Sequence, residues 1–241
     1  MHRLLTETAA LDADSPALSR EALNHLKVLR PNDGEEIELF DGCGKTRVYR
    51  YDAAAKGLGA PLPIVTHPRP ACGITLFACV TKGSRWDWTI EKATELGVTR
   101  IVPVISDRTI VRVSAAEREA KRERWARIAA DAARQSDAVW LPEVTAPVDF
   151  AESLPLVRET RCFIGALTNP PPPMILDALA ASSDGKGKDV GIYVGPEGDF
   201  TPEELAALME IATPTSFGPT ILRAETAAIY AVSVLAATLS A

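Results

Sequence analysis

The stretch Ile192-Tyr-Val-Gly-Pro-Glu-Gly-Asp-Phe-Thr-Pro-Glu-Glu-Leu205 passes from an apolar, strand-like segment through two glycines into a helix start. Thr201 stands at the N-cap, Pro202 at the first helical position and Glu204 at the third, so the turn into the helix is placed to within a residue. Strand, glycine turn and helix in succession have the outline of a ligand-cradling loop. A phosphate cradle offers backbone N–H groups, a helix N-terminus and usually a lysine. Glu197 and Asp199 would repel a phosphate, so the ligand must be of another kind. Twelve residues on, Phe217-Gly-Pro-Thr-Ile-Leu-Arg-Ala-Glu-Thr-Ala-Ala228 is a second Gly-Pro loop that feeds an apolar C-terminal helix. One such loop is equally well a structural turn; two, each leading into a helix, point to a site.

Working outward, the chain of 241 residues, 46% hydrophobic, suits one large domain or two modest ones with a real core. The longest apolar region, Ala227 to Leu239, is too short for the roughly 20 residues of a membrane span and is interrupted by Tyr230, Ser233 and Thr238. Apolar nearly all round, it needs burial on several faces, and a homodimer is expected from it. Glu7 sits where an export signal would be apolar. Cys43, Cys72, Cys79 and Cys162 are far apart with no Cys-x-x-Cys pair, which argues against a metal site or a disulfide framework and for thiols in a reducing cytoplasm.

The organisation changes along the chain. Residues 1 to about 66 read as a small β-rich unit with a helix capped by Ser19 and ended by Pro31, a strand over Glu36–Phe40, a turn at Asp41-Gly-Cys-Gly44 and a strand over Thr46–Tyr51. Thr66-His-Pro-Arg-Pro70 reads as a linker. From Cys72 the texture is α/β. Strands are expected over Ile74–Val80, Arg100–Ile105 and Cys162–Leu167. A helix is expected over about 86–96 with Gly97 past its end, and a long helix after Ser114 and Glu117 with Trp125, Ile128, Ala129, Ala132 and Ala133 on its apolar face. Ser182 to Lys188 reads as a flexible segment.

The formal charge of −6 is against a simple nucleic-acid binder, so any RNA contact has to be local. Basic clusters exist at Lys82 and Arg85 beside Trp86 and Trp88, at Arg108 and Arg112, and along Arg118 to Arg127. Mixed with Glu117, Glu119 and Glu123, the last run also reads as a solvated helix face. Trp86 and Trp88 point to different helix faces, and at least one belongs to the core.

Several blocks, in order, resemble one family: Glu91-Lys-Ala-Thr-Glu-Leu-Gly-Val98 with Ile101-Val-Pro103, Gln135-Ser136, Gly195-Pro-Glu-Gly198, and Gly218-Pro219 with Ile221-Leu-Arg-x-Glu-Thr-Ala227. They resemble the 16S ribosomal RNA uracil-N3 methyltransferases, RsmE-like members of the knotted SPOUT superfamily, over nearly the whole chain. His25 and Val28-Leu-Arg30 match a segment of that family's PUA-like barrel. The resemblance implies an α/β fold, with a PUA-like RNA-binding β-barrel domain over residues 1–68 and a trefoil-knotted SPOUT methyltransferase domain over residues 72–241. It implies S-adenosylmethionine as cofactor and no metal. The cofactor would be held among three loops by Leu167, Gly195, Pro196, Glu197, Gly198, Phe217, Gly218, Ile221, Leu222, Arg223, Thr226 and Ala227. A sulfonium cation without phosphate is compatible with the acidic loop.

The implied reaction is methylation of N3 of a uridine in 16S rRNA of the small ribosomal subunit. Uracil N3 is an imide N–H, a poor nucleophile until deprotonated, and a cation near O2 or O4 would stabilise the charge. Arg223 is the candidate for that role, with Glu225 orienting it; a structural ion pair at the helix start is the rival reading. Glu197 or solvent would accept the proton. Arg3, Arg30, Lys45 and Arg47 of the first domain, and Arg85, Trp86 and Arg112 of the second, are the expected RNA contacts. Asp199 replaces a common glycine, Thr220 a common arginine, and Ala138 a common arginine after Gln-Ser, changes that bear on RNA affinity more than on cofactor binding. The rival functions are a knotted methyltransferase acting on another RNA and a non-catalytic RNA-binding ribosome-assembly factor.

Overall fold

The computed structural model describes residues 1–157, 161–182 and 189–239, which group into two compact units, Met1–Arg69 with Ala130–Leu141, and Pro70–Ala129 with Pro142–Ala241. From residue 183 onward, the expected flexible segment to Lys188 lies outside the described residues.

The first unit contains β1 (His2–Leu5), α1 (Thr8–Leu11), α2 (Arg20–Leu29), β2 (Glu36–Phe40), β3 (Lys45–Asp52), β4 (Gly57–Pro61) and β5 (Val65–Thr66). Its sheet runs β1-β2-β3-β4, with β5 also on β3; the β1–β2 pair is parallel and the other pairs are antiparallel. Ser19 Oγ accepts from Ala22 N at 3.1 Å and starts α2, which stops at Arg30 in a left-handed conformation before Pro31. Alternation along β2 sends Ile37 and Leu39 into a core with Leu4, Leu11, Leu26 and Tyr49. At the turn, Asp41 Oδ1 accepts from Cys43 N at 2.7 Å and Lys45 N at 3.0 Å, the local bonding that makes aspartate a turn former. The four-residue α1 has no side-chain cap and left no sequence signal.

Two arginines expected at an RNA surface are instead committed to packing. Arg3 is 5% exposed; it donates to Glu38 at 2.5 Å and to the carbonyls of Ala133 and Ala138, and lies 4.3 Å over the Phe40 ring. Arg47 donates to the carbonyls of Leu11, Ala13 and Leu62 and pairs with Asp14. The reason is the same for both: a guanidinium withdrawn from water must find acceptors for its N–H groups, and backbone carbonyls at helix ends and in loops supply them.

The second unit is a wound α/β structure. Its elements are β6 (Ile74–Cys79), α3 (Ser84–Glu95), β7 (Arg100–Ile105), α4 (Arg118–Gln135, whose residues from Ala130 group with the first unit), β8 (Glu143–Val144), β9 (Val148–Asp149), α5 (Phe150–Ser153), β10 (Arg161–Gly165), α6 (Ile175–Ala181), β11 (Val190–Val194), α7 (Pro202–Met209), β12 (Thr213–Thr215) and α8 (Ala224–Leu239). The strands form a sheet ordered β12-β10-β11-β6-β7-β8, with β9 also on β7, and every pairing is parallel. Covered on both faces, such strands read as continuous apolar runs. Ile74, Leu76, Ala78 and Val80 belong to one core cluster, with Trp86, Ile90, Ile192 and the α8 residues Ala228, Ala231, Val232 and Leu235. Phe77 and Cys79 point the other way and join Val102, Ile164, Tyr193, Phe200 and Leu208; the Phe77 and Tyr193 rings stack at 4.5 Å. Among the described residues no helix is long and apolar enough to cross a membrane.

Burial pushes the thiols of Cys79 and Cys162 up to about 12, so both stay protonated and unreactive near neutrality, whereas Cys43 is exposed. Maleimide labelling of the folded protein near neutral pH, followed by peptide mass spectrometry, is expected to modify Cys43 rapidly and Cys79 and Cys162 only after denaturation. Rapid labelling of either buried thiol would contradict this packing.

Candidate active site

Strands β12, β10 and β11 are parallel neighbours, so the loops that leave their C-terminal ends emerge on one side of the sheet, where open α/β sheets bind ligands. Three loops gather there, Gly165–Leu167, Val194–Asp199 and Thr215–Arg223, around a cleft of about 300 Å³, at the small end of ligand pockets.

Each loop is held by its own bonding. A Cβ on Gly165 would fall 2.4 Å from the Phe217 ring, so the absence of a side chain at 165 is what lets the third loop close on the first. Ala166 N donates to the carbonyl of Thr215 at 3.0 Å, and Gly218, at a φ of +124°, donates to Ser216 Oγ at 3.2 Å. In the second loop Asp199 N donates to the carbonyl of Pro196 at 2.9 Å, closing a tight turn. Asp199 sits at a φ of +59°. That is a left-handed position which glycine takes freely and aspartate better than most, and it suits the glycine that the family resemblance leads one to expect there. The Glu204 carboxylate then locks the loop: Oε2 accepts from Thr201 N at 3.0 Å and Oε1 from Asp107 N at 2.9 Å. Arg108 donates to the carbonyls of Gly198 and Phe200.

Of the residues expected to hold a cofactor, Leu167, Gly195, Pro196, Glu197, Phe217, Gly218, Ile221, Leu222, Arg223 and Ala227 line this cleft, while Gly198 and Thr226 do not. The expected set lacked Gly165, Ala166, Val194, Asp199, Thr215, Ser216, Thr220 and Ala224, which also line the cleft; the signal for Gly165 was a glycine at the end of an apolar strand. Leu167 and Ile221 are 63% and 79% exposed, large apolar side chains left at the cleft for a ligand to cover.

The charges are arranged differently from the sequence expectation. Glu225 does not engage Arg223. Arg85 instead lies between two carboxylates, its Nη1 3.2 Å from Glu197 Oε1 and its Nε 4.0 Å from Glu225 Oε1. As a half-exposed pair, Arg85–Glu197 contributes at most about 1 kcal/mol to stability. Glu225 Oε2 is buried with no hydrogen-bond partner among the described residues. No hydrogen bond or ion pair of the described residues engages the exposed Arg223 guanidinium.

Trp86 is also a correction: at 2% exposure it packs edge-on against Trp125, with ring centroids 5.6 Å apart. Its neighbour Trp88 is 41% exposed and lines a second cleft with Ser84, Arg85, Glu225 and Thr226. Of the other expected RNA contacts, Arg30 and Arg112 are exposed and Lys45 is half-buried. Among the described residues no group of His, Cys, Asp and Glu is placed to hold a metal ion.

Residues 68–236 match the model of the RNA methyltransferase domain family. Ribosomal RNA small subunit methyltransferase E of Bacillus subtilis is 30% identical over 96% of this chain and 93% of its own length, and that of Synechocystis is 32% identical over 94% and 74%. The chain belongs to the ribosomal RNA small subunit methyltransferase E family. Among solved structures, the family member from Neisseria gonorrhoeae, bound to S-adenosyl methionine, is similar with a TM-score of 0.80 at 28% identity, covering 98% of this chain and 96% of that one. A Legionella pneumophila protein solved in complex with the cofactor SAM has a TM-score of 0.82 at 28% identity, over 98% and 97% of the two chains.

In this family member, Gly165→Ala is expected to lower stability by about 1–3 kcal/mol through overpacking against Phe217, and Phe217→Leu in the same chain to return at least half of it. Urea unfolding of both single variants and the double variant gives the coupling. Additive losses would contradict the direct contact.

Proposed function

We propose that this chain transfers a methyl group from S-adenosylmethionine to N3 of a uridine in the 16S rRNA of the small ribosomal subunit. The observation that carries the reading is the cleft at the strand ends: its apolar side chains and close-approaching backbone are bordered by the carboxylates of Glu197 and Asp199, with no lysine. This donor set fits S-adenosylmethionine, which has a flat base and two cationic groups but no phosphate, and it does not fit a nucleotide phosphate. Leu167, Ile221 and Leu222 would hold it by apolar contact, and the backbone of Gly195, Pro196 and Gly218 by close approach, with Gly198 shaping the turn. When bound, the cofactor supplies an electrophilic methyl group.

The chain's residues have the remaining tasks. Arg223 lines the cleft with its guanidinium uncommitted, so its donors can address a uracil oxygen and stabilise the charge left when N3 loses its proton. Glu197 lines the same cleft, and its carboxylate is held in place by Arg85. Arg30, Lys45, Arg85 and Arg112 supply local positive charge for RNA on a chain of net charge −6.

The same reading covers the architecture and assembly. Residues 72–241 would form a SPOUT domain with a trefoil knot made by threading α8; support comes from the position of α8 against the inner strands β6 and β11. Residues 1–68 would form the PUA-like RNA-binding domain, supported by a five-stranded mixed sheet on a small core. A homodimer is supported by α8, which buries Ala228, Ala231 and Leu235 but leaves Ile229, Tyr230 and Val234 only partly covered. The working place is the cytoplasm, where small subunits are.

Mass spectrometry or primer extension of 16S rRNA from cells with and without the protein is expected to find an N3-methyluridine only when it is present. A new methyl group on another RNA would move the substrate, and none on any RNA would favour a non-catalytic factor. Arg223→Ala is expected to keep cofactor affinity within a few-fold and to slow single-turnover methylation of small-subunit particles by about 100-fold, with Lys recovering only part. Light scattering should give twice 25.8 kDa; a monomer would contradict the dimer.

A further inference from the structure

Two arginines grip the second loop of the cleft from neighbouring strand ends. β6 and β7 are parallel neighbours, and each is followed by a segment that carries one of them. Arg85, at the start of α3, holds the Glu197 carboxylate. Arg108, in the segment between β7 and α4, holds the loop by its backbone instead. Its Nη1 donates to the carbonyl of Gly198 at 2.9 Å and to that of Phe200 at 3.3 Å.

The segment that carries Arg108 is itself fixed. Thr109 is fully buried, and its Oγ1 accepts from Ser106 N at 3.0 Å. Arg112 donates to the carbonyl of Asp107 at 2.9 Å, and Asp107 N donates to Glu204 Oε1 at 2.9 Å. Arg108 therefore reaches across from a rigid turn. Its stem runs over Gly198, where an added Cβ would sit 3.6 Å from Arg108 Cβ.

The two carbonyls that Arg108 engages flank Asp199, the residue in the left-handed conformation. That conformation is the least favoured part of the loop for a residue other than glycine, so the loop gains most from an outside hold at this point. A charged donor bonded to the carbonyls on either side supplies it, and such bonds are stronger than those between neutral groups. Fixing these peptides sets where Glu197 and Asp199, the two carboxylates of the cleft, stand.

We infer that Arg108 is a positioning residue of the cofactor cleft, acting through the carbonyls of Gly198 and Phe200, and not an RNA contact as its place in a basic cluster with Arg112 suggests. The assignment rests on S-adenosylmethionine being the ligand of this cleft.

The test titrates the full chain with S-adenosylmethionine by calorimetry. Arg108→Ala should raise the Kd about tenfold, the scale of losing a hydrogen-bonded charged donor. Glu204 and the Pro196–Asp199 turn still hold part of the loop, which keeps the loss from being complete. Arg108→Met, which keeps the stem over Gly198 but has no donor, should lose as much. Arg108→Lys, which restores a charged donor without the planar fork, should return the Kd to within about threefold. Without cofactor, hydrogen exchange over residues 195–201 should speed up in the Ala and Met variants and stay unchanged in β6 and β11. In single-turnover methylation of small-subunit particles, Arg108→Ala should raise the half-saturating cofactor concentration by the same factor and leave the half-saturating particle concentration within about threefold.

An unchanged Kd for Arg108→Ala, or full recovery by Met, would overturn the assignment while cofactor binding by the unaltered chain stands. A weaker hold on particles with cofactor affinity intact, the pattern of a phosphate contact, would overturn it too. So would a fall in the urea midpoint so large that affinity follows the folded fraction. Failure of the unaltered chain to bind S-adenosylmethionine would overturn the cofactor reading, and this assignment with it.

Discussion

The close seating of α8 on the parallel sheet is the constraint on which the rest of the second unit depends. Its inward positions Ala224, Ala227, Ala228 and Ala231 are small and buried, so the helix packs near the sheet and beside α3 with little side-chain bulk between them. A larger residue at any of them would lift the helix and pull apart the loops that precede it. Because the first turn of α8 is both the end of the third loop and the wall between two clefts, the same packing sets the positions of Arg223 and Glu225. Structural and chemical demands thus converge on the start of α8 and the residue before it.

The loops are made rigid by backbone bonding rather than by bulk. Glu204 is the clearest case: a helix-capping glutamate of α7 that also accepts from Asp107 N, it ties the second loop to the segment after β7. Gly165 works by subtraction, leaving room for Phe217, whose ring also packs near Tyr230 of α8 at 5.9 Å. A site built this way loses little entropy when a ligand arrives, since its shape exists beforehand.

Electrostatically the site runs against the chain's charge. Acidic groups, Glu197 and Asp199, border the cleft where a cationic cofactor is proposed, with Glu225 on the neighbouring cleft, and the arginines Arg223 and Arg85 stand beside them where contact with RNA is proposed. Arg85 has the most consequential position, because the two carboxylates it serves face different clefts. Departures such as Asp199 sit comfortably in this scheme: the backbone tolerates aspartate at that left-handed turn position, and the added negative charge lines the cleft proposed for the cofactor.

Much was legible in the chain itself. Local signals read locally, so Ser19, Thr201 with Glu204, Gly97, and the apolar runs of β6, β7 and β11 marked their elements to within a residue or two, and the two Gly-Pro loops marked the site. Three things were decided only by tertiary structure. Whether a tryptophan or an arginine is buried depends on what lies opposite: Trp86 met Trp125, and Arg3 and Arg47 met backbone carbonyls, while Trp88, two residues away on the same helix, stays 41% exposed at a cleft. The partner of Glu225 is Arg85, 140 residues earlier in the chain, and not Arg223, two residues away, because two residues along a helix point to different sides whereas α3 and α8 lie side by side. The cleft itself exists only because the parallel order β12-β10-β11 brings three strand ends together, and strand order is set by long-range packing that no stretch of sequence carries alone.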